Sequence, residues 1–211
     1  MFAIACQQKQ AESDTKEPKT KDLEIGETLV LGDKEFKQPK ELSNEELSEY
    51  KTLAENYSKE AQAALGQKLI KKVGELGTAG AVDFCNIHAI PLTDSVAKLQ
   101  GVTIKRLTDR PRNPDNEAKE NELMFLKNYI ASLENGIELK SALHISPEKV
   151  NFYFPILTNS FCLNCHGTPK VQVNEATLAA ISKKYPNDKA LNYSDNQVRG
   201  MWSISFDREY E

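Results

Sequence analysis

The residues of this 211-residue chain best suited to hold a metal or form a covalent bond are four cysteines and three histidines, and their spacing separates them into unlike groups. Cys6 stands near the start, Cys85 and His88 lie three residues apart, and His144 is isolated. Cys162, Cys165 and His166 fall together in Phe161-Cys162-Leu163-Asn164-Cys165-His166-Gly167. That last string has the spacing of haem c attachment. Two thiols two residues apart can each add to one vinyl group of a single porphyrin, and the histidine that follows is placed beneath the iron as its proximal ligand. A structural zinc site wants four ligands, usually as two spaced pairs, and only Cys85, His88 and His144 remain to complete one. A redox dithiol wants the strand-to-helix junction of a βαβ unit, which the order of elements below does not offer. One covalent haem c, attached through Cys162 and Cys165 with His166 on the iron, is therefore expected.

Residue chemistry alone leaves the second axial position open. On a helix Cys85 and His88 share a face, so either can approach the same iron, and His144 is a third candidate. Met124 and Met201 fall in patterns that read as core.

These groups need elements to position them. Ser43-Asn44-Glu45-Glu46 reads as a helix start, with a capping residue and acids in the first turn. Leu47, Tyr50, Leu53, Ala54, Tyr57, Ala61, Ala64, Leu65, Leu69, Val73 and Leu76 recur at steps of three and four and predict one long helix, weakened at its end by Gly74 and Gly77. A second helical segment over about 79–99 carries Val82, Cys85, Ile87, Ile90 and Leu92, with Pro91 as a kink and Cys85 on its buried side. A strand over 101–107, a loop over 108–116, a helix over 117–134 and an antiparallel hairpin of strands over 137–145 and 149–157 lead into the Cys-x-x-Cys-His motif. A helix over 175–184 and a last strand over 200–206 complete an α+β class: a small antiparallel sheet, a long N-terminal helix and flanking helices on one side.

Beyond the motif, the chain resembles the family of bacterial c-type haem domains with a PAS-like fold and Cys/His iron ligation. The resemblance spans about 47–206. It rests on Ala81-Val82-Asp83-Phe84-Cys85 with Ala89 and Pro91, on Ile104-Lys105-Arg106 followed by Arg112-Asn113-Pro114-Asp115-Asn116, and on Tyr153-Phe154-Pro155-Ile156 before the motif. Tyr185-Pro186-Asn187-Asp188-Lys189-Ala190 and Arg199-Gly200 complete it, while Asn192-Tyr193-Ser194-Asp195-Asn196 lacks the glycines usual there. The resemblance implies a PAS-like domain in which Cys85 is the second axial ligand opposite His166; His88 is a competitor that the family pattern does not require. Arg106, Arg110 and Arg112 gather around the polar loop, where a guanidinium either pairs with a haem propionate or pins the loop to neighbouring carbonyls. Tyr153, Phe154 and Trp202 are expected to line the pocket or to be plain core.

The charge balance of 27 Lys and Arg against 31 Asp and Glu, net −4, offers no basic face for nucleic acid. No apolar run approaches the roughly 20 residues of a membrane-crossing helix. Met1-Phe2-Ala3-Ile4-Ala5-Cys6 resembles the end of a bacterial lipoprotein signal, which implies lipidation at Cys6, although the apolar stretch is shorter than a full signal needs. Residues 7–43 read as a flexible tether and 44–211 as a single domain. The expectation is an exported lipoprotein of the periplasm or cell surface, touching membrane only through its anchor. Its single haem senses redox state or a diatomic gas such as CO or NO and reports to a signalling partner; the alternative is a low-potential electron-transfer cytochrome with a redox partner protein. A ligated sixth position without a distal acid/base set speaks against an enzyme.

Overall fold

The computed structural model describes residues 38–211, so Cys6 and most of the expected tether lie outside the described residues. The first element, α1 (Asn44–Gln100), opens with a capping box: Glu46 N donates to Ser43 Oγ at 3.2 Å and Ser43 N to Glu46 Oε2 at 2.8 Å. Helical dihedrals fail at one place in α1, Gly77, with φ 68° and ψ 178°. Only glycine adopts that combination readily, so α1 is two limbs joined at Gly77. Gly80 belongs to the same break, because a Cβ there would stand 2.6 Å from Leu76 Cβ. Pro91 keeps helical dihedrals, and Ile87, whose carbonyl has no Pro91 N–H to accept, is exposed.

The remaining elements are β1 (Thr103–Leu107), α2 (Glu120–Glu134), β2 (Ala142–Ile145), β3 (Lys149–Leu157), α3 (Ser160–His166), α4 (Glu175–Lys184) and β4 (Val198–Asp207), with a 3-10 turn at Pro114–Asn116. The strands form one antiparallel sheet in the order β1-β4-β3-β2, so the class is α+β as expected. Strand alternation divides the core by face. Ile104, Val150, Phe152, Trp202, Ile204 and Phe206 meet Ala54, Ala61 and Ala97 of α1. Leu107, Tyr153 and Met201 point the other way, onto Leu126 and Tyr129 of α2. Helices therefore cover both faces, not one. The amphipathic stripe of α2 can be seen in the sequence, but nothing local to it says which side of the sheet it takes.

A third cluster sets Val82 of α1 against Val173, Ile181 and Tyr185, fastening the second limb to α4. Thr78 Oγ1 and Thr177 Oγ1 add a hydrogen bond at 2.5 Å beside the break. The end of the expected tether is paired: Gln38 N donates to Glu211 O at 3.2 Å, Glu211 N to Gln38 O at 3.0 Å, and Lys40 N to Glu209 O at 2.9 Å. Among the described residues no helix is long and apolar enough to cross a membrane.

Candidate functional site

The Cys-x-x-Cys-His motif is a short helix delivered by β3. Thr158, just past the strand, donates through Oγ1 to Ser194 O at 2.7 Å and accepts from Gln197 N at 2.8 Å, fixing the exit. Asn159 caps α3, its Oδ1 accepting Cys162 N at 3.2 Å and the Cys162 thiol at 3.3 Å. Positions 162, 165 and 166 then stand at i, i+3 and i+4 and share one helix face. Gly167 ends the helix where there is no room for a side chain, since a Cβ would lie 2.4 Å from Gln172 Oε1 and 2.7 Å from Leu163 O.

Segment 188–193 grips this helix. His166 Nδ1 faces Ala190 O at 2.8 Å; a carbonyl only accepts, so Nδ1 carries the proton and Nε2 keeps a free lone pair. Tyr193 N donates to His166 O at 2.9 Å and Asn192 N to Gly167 O at 3.1 Å. Burial, then the charges of Arg199 and Arg112, hold His166 well below the usual histidine range, leaving it neutral at physiological pH and ready to coordinate. Arg112 spans the two segments: it meets Asp188 with two hydrogen bonds of 3.1 Å and donates to Cys165 O at 2.7 Å.

Cys85 sits half-buried on the second limb of α1. Burial pushes its thiol up, Arg106 pulls the other way, and Cys165 is among the groups acting on it, so the limb and α3 share one electrostatic neighbourhood. His88 does not join them; it is exposed, with its ring 5.0 Å from Phe84. His144 lies on the α2 face of the sheet, 6.1 Å from the Phe125 ring. Among the described residues no group of three or more His, Cys, Asp or Glu is gathered as a metal-ion site. Two thiols and a fixed imidazole on one helix face, with a third thiol from another element nearby, fit a porphyrin iron.

The arginines divide. Arg110 donates to Lys189 O at 3.2 Å and to Leu191 O and stacks 4.2 Å from the Tyr193 ring centre, so it pins the loop, as Arg112 does. Arg106 lies 5.9 Å from the Trp202 ring centre on the α1 face of the sheet. Tyr153 is on the opposite face, 2% exposed, 4.6 Å from the Phe125 ring and accepting the Tyr129 hydroxyl at its carbonyl at 2.9 Å. It belongs to the α2 core and not beside Arg106. Phe154 and Trp202 share the α1 face and line a cleft of about 690 Å³ with Gln62, Leu139 and Pro155; Trp202 Nε1 donates to Gln62 Oε1 at 3.2 Å. That cleft contains none of the motif residues.

Asn159, Asp188, Ala190, Tyr193 and Arg199 hold the motif, and no role is assigned to them from the sequence. Arg199 donates to Thr108 Oγ1 at 2.9 Å and stacks 5.2 Å from Tyr193, which meets His166 edge-on at 6.3 Å. Capping of α3 by Asn159 was readable from residue type and position; the others depend on contacts between distant segments.

No curated protein matches the chain. Among solved structures, the fold is similar to that in the crystal structure of the cyanobacterial heme-protein Tll0287, with 21% sequence identity, a TM-score of 0.56, and coverage of 81% of this chain and 99% of that one. The Tll0287-like family profile matches residues 32–207, a span that takes in every element from α1 to β4 and all of the motif. The chain belongs to the Tll0287-like family.

Proposed function

We propose that the chain binds one haem, joined covalently through Cys162 and Cys165, with His166 and Cys85 as axial ligands, and that the domain senses redox state or a diatomic gas. The haem reading is carried by the 2.8 Å contact of His166 Nδ1 with Ala190 O, on a helix whose one face presents both thiols. A histidine so held has a fixed ring, a fixed tautomer and one nitrogen to give. Similarity to a heme-protein supports the cofactor. Bound iron porphyrin would supply one-electron chemistry and affinity for CO and NO.

An asymmetry between the two ligands supports sensing. His166 is held through its ring and its carbonyl, and its helix is capped. Cys85 rides on a limb set off by Gly77 that runs through Gly101 into β1, so a change in how Cys85 is held reaches the sheet edge. The PAS-like resemblance points the same way. The grip of Arg112, Ala190 and Tyr193 on α3 favours a second reading, a low-potential electron carrier, because fixed ligands suit fast electron transfer. Export, lipidation at Cys6, a redox or signalling partner protein and the absence of an enzymatic role belong to the same proposal.

The test is acid-acetone extraction of protein matured with haem, followed by gas titration of the ferrous form. Colour retained on the chain, and lost from it when Cys162 and Cys165 are both replaced by Ala, supports covalent haem. Colour that leaves with the solvent refutes it. Rapid ferrous CO or NO uptake supports the sensor; refusal of both gases transfers the assignment to the carrier.

A further inference from the structure

We infer that Arg106 receives an ionised carboxylate of the bound ring, a haem propionate, whereas Arg110 and Arg112 serve the loop; this rests on the haem reading above. Arg106 is half-buried on β1, and its register partner on β4 is Trp202. Among the described residues it takes part in none of the ion pairs. Among the described residues its guanidinium lies over the indole face of Trp202, whose ring centre is 5.9 Å away.

The neighbouring arginines are committed. Arg112 is paired with Asp188 and bonded to Cys165 O, Arg110 serves the carbonyls of Lys189 and Leu191, and Arg199 serves Thr108 and the Arg110 carbonyl. Asp188, the carboxylate that acts on Arg199, is already engaged by Arg112. The groups acting on Arg106 are Cys85 and Tyr185, neither of them a carboxylate. A half-dry guanidinium that meets no carboxylate is unfavourable, and its planar fork matches a carboxylate with two parallel hydrogen bonds. The carboxylate that belongs to the proposed site and that no described residue provides is a propionate.

The experiment titrates the full chain, expressed without haem maturation and kept reduced, with ferric haem and separately with its dimethyl ester, reading absorbance. The ester keeps the ring and the iron but has no anionic carboxylates. Wild type should prefer the free acid by roughly ten- to a hundredfold, the scale of a charge-assisted hydrogen-bond pair. Arg106→Gln should reduce that preference to within about threefold, Arg106→Lys should retain part of it, and Arg110→Gln should weaken both ligands alike. Preference undiminished in Arg106→Gln overturns this inference and leaves the haem reading standing. Failure of wild type to bind either ring overturns both.

Discussion

Replacing Asp188 by Ala tests how the motif is held. Its carboxylate takes two hydrogen bonds of 3.1 Å from Arg112 and one of 2.9 Å from Ala190 N, and the side chains are 12% and 6% exposed. At that burial solvent screens little. The change strands the guanidinium with only the carbonyls of Cys165, at 2.7 Å, and Ala190, at 3.4 Å, as acceptors. Removing one partner of a buried pair costs about 3–5 kcal/mol, because a desolvated charge is left behind. Arg112→Met should cost a similar amount, while the double variant strands neither charge and should fall short of the summed cost by about 2 kcal/mol. Urea unfolding followed by circular dichroism measures this; with a slope of about 2–3 kcal/mol per molar for a domain of this size, the Asp188→Ala midpoint falls by about 1–2 M. A loss below about 1 kcal/mol, or costs that simply add, would refute the view that this ion pair clamps α3 to segment 188–193.

Three further outcomes can be measured directly. Gly77→Ala places a Cβ in a backbone region that is essentially glycine's own and should destabilise by about 1–3 kcal/mol, whereas Gly74→Ala, with nothing within 4 Å of the added Cβ, should stabilise by up to about 1 kcal/mol; thermal unfolding of the pair reads the opposite signs. Burial pushes Tyr129 and Tyr153 up to about 12. The unfolded chain releases those protons near pH 10 while the folded one keeps them, so stability should fall by about 1.4 kcal/mol per pH unit per tyrosine between about pH 10 and 12, with two tyrosines ionising late in ultraviolet titration. In haem-loaded protein, Cys85→Ala should convert the ferric spectrum from low to high spin and His88→Ala should leave it unchanged; the reverse pattern exchanges the two assignments.

Much of the positioning frame was legible because it is local. The helix start at Ser43, the strand over 149–157 and the helix over 175–184 follow from patterns that their own residues carry, and they fall where expected. The break in α1 is half legible: residue type says that Gly77 weakens a helix, but only its positive φ makes it a joint. Strand β2 is shorter than the expected 137–145, because the ladder to β3 stops short of Pro155, which has no N–H to offer, and 138–141 instead border the cleft. Tyr153 shows the limit for the site. Alternation says that it and Phe154 face opposite ways, but not which way the functional residues face; that depends on α2 docking on one side and α1 on the other. The grip on His166 was illegible for a related reason, since Ala190 acts through a backbone carbonyl that any residue type would supply.

The pairing of Gln38 and Lys40 with Glu209 and Glu211 makes the folded unit nearly a closed ring of polypeptide. A linker of a few residues could join residue 38 to residue 211, and the chain could be reopened in the exposed turn at Gly136 and Ile137 between α2 and β2. Such a permutant would begin with the hairpin that feeds the Cys-x-x-Cys-His helix. During synthesis that helix would emerge before the α1 limb carrying Cys85, reversing the order in which the two halves of the site leave the ribosome while keeping every contact described here.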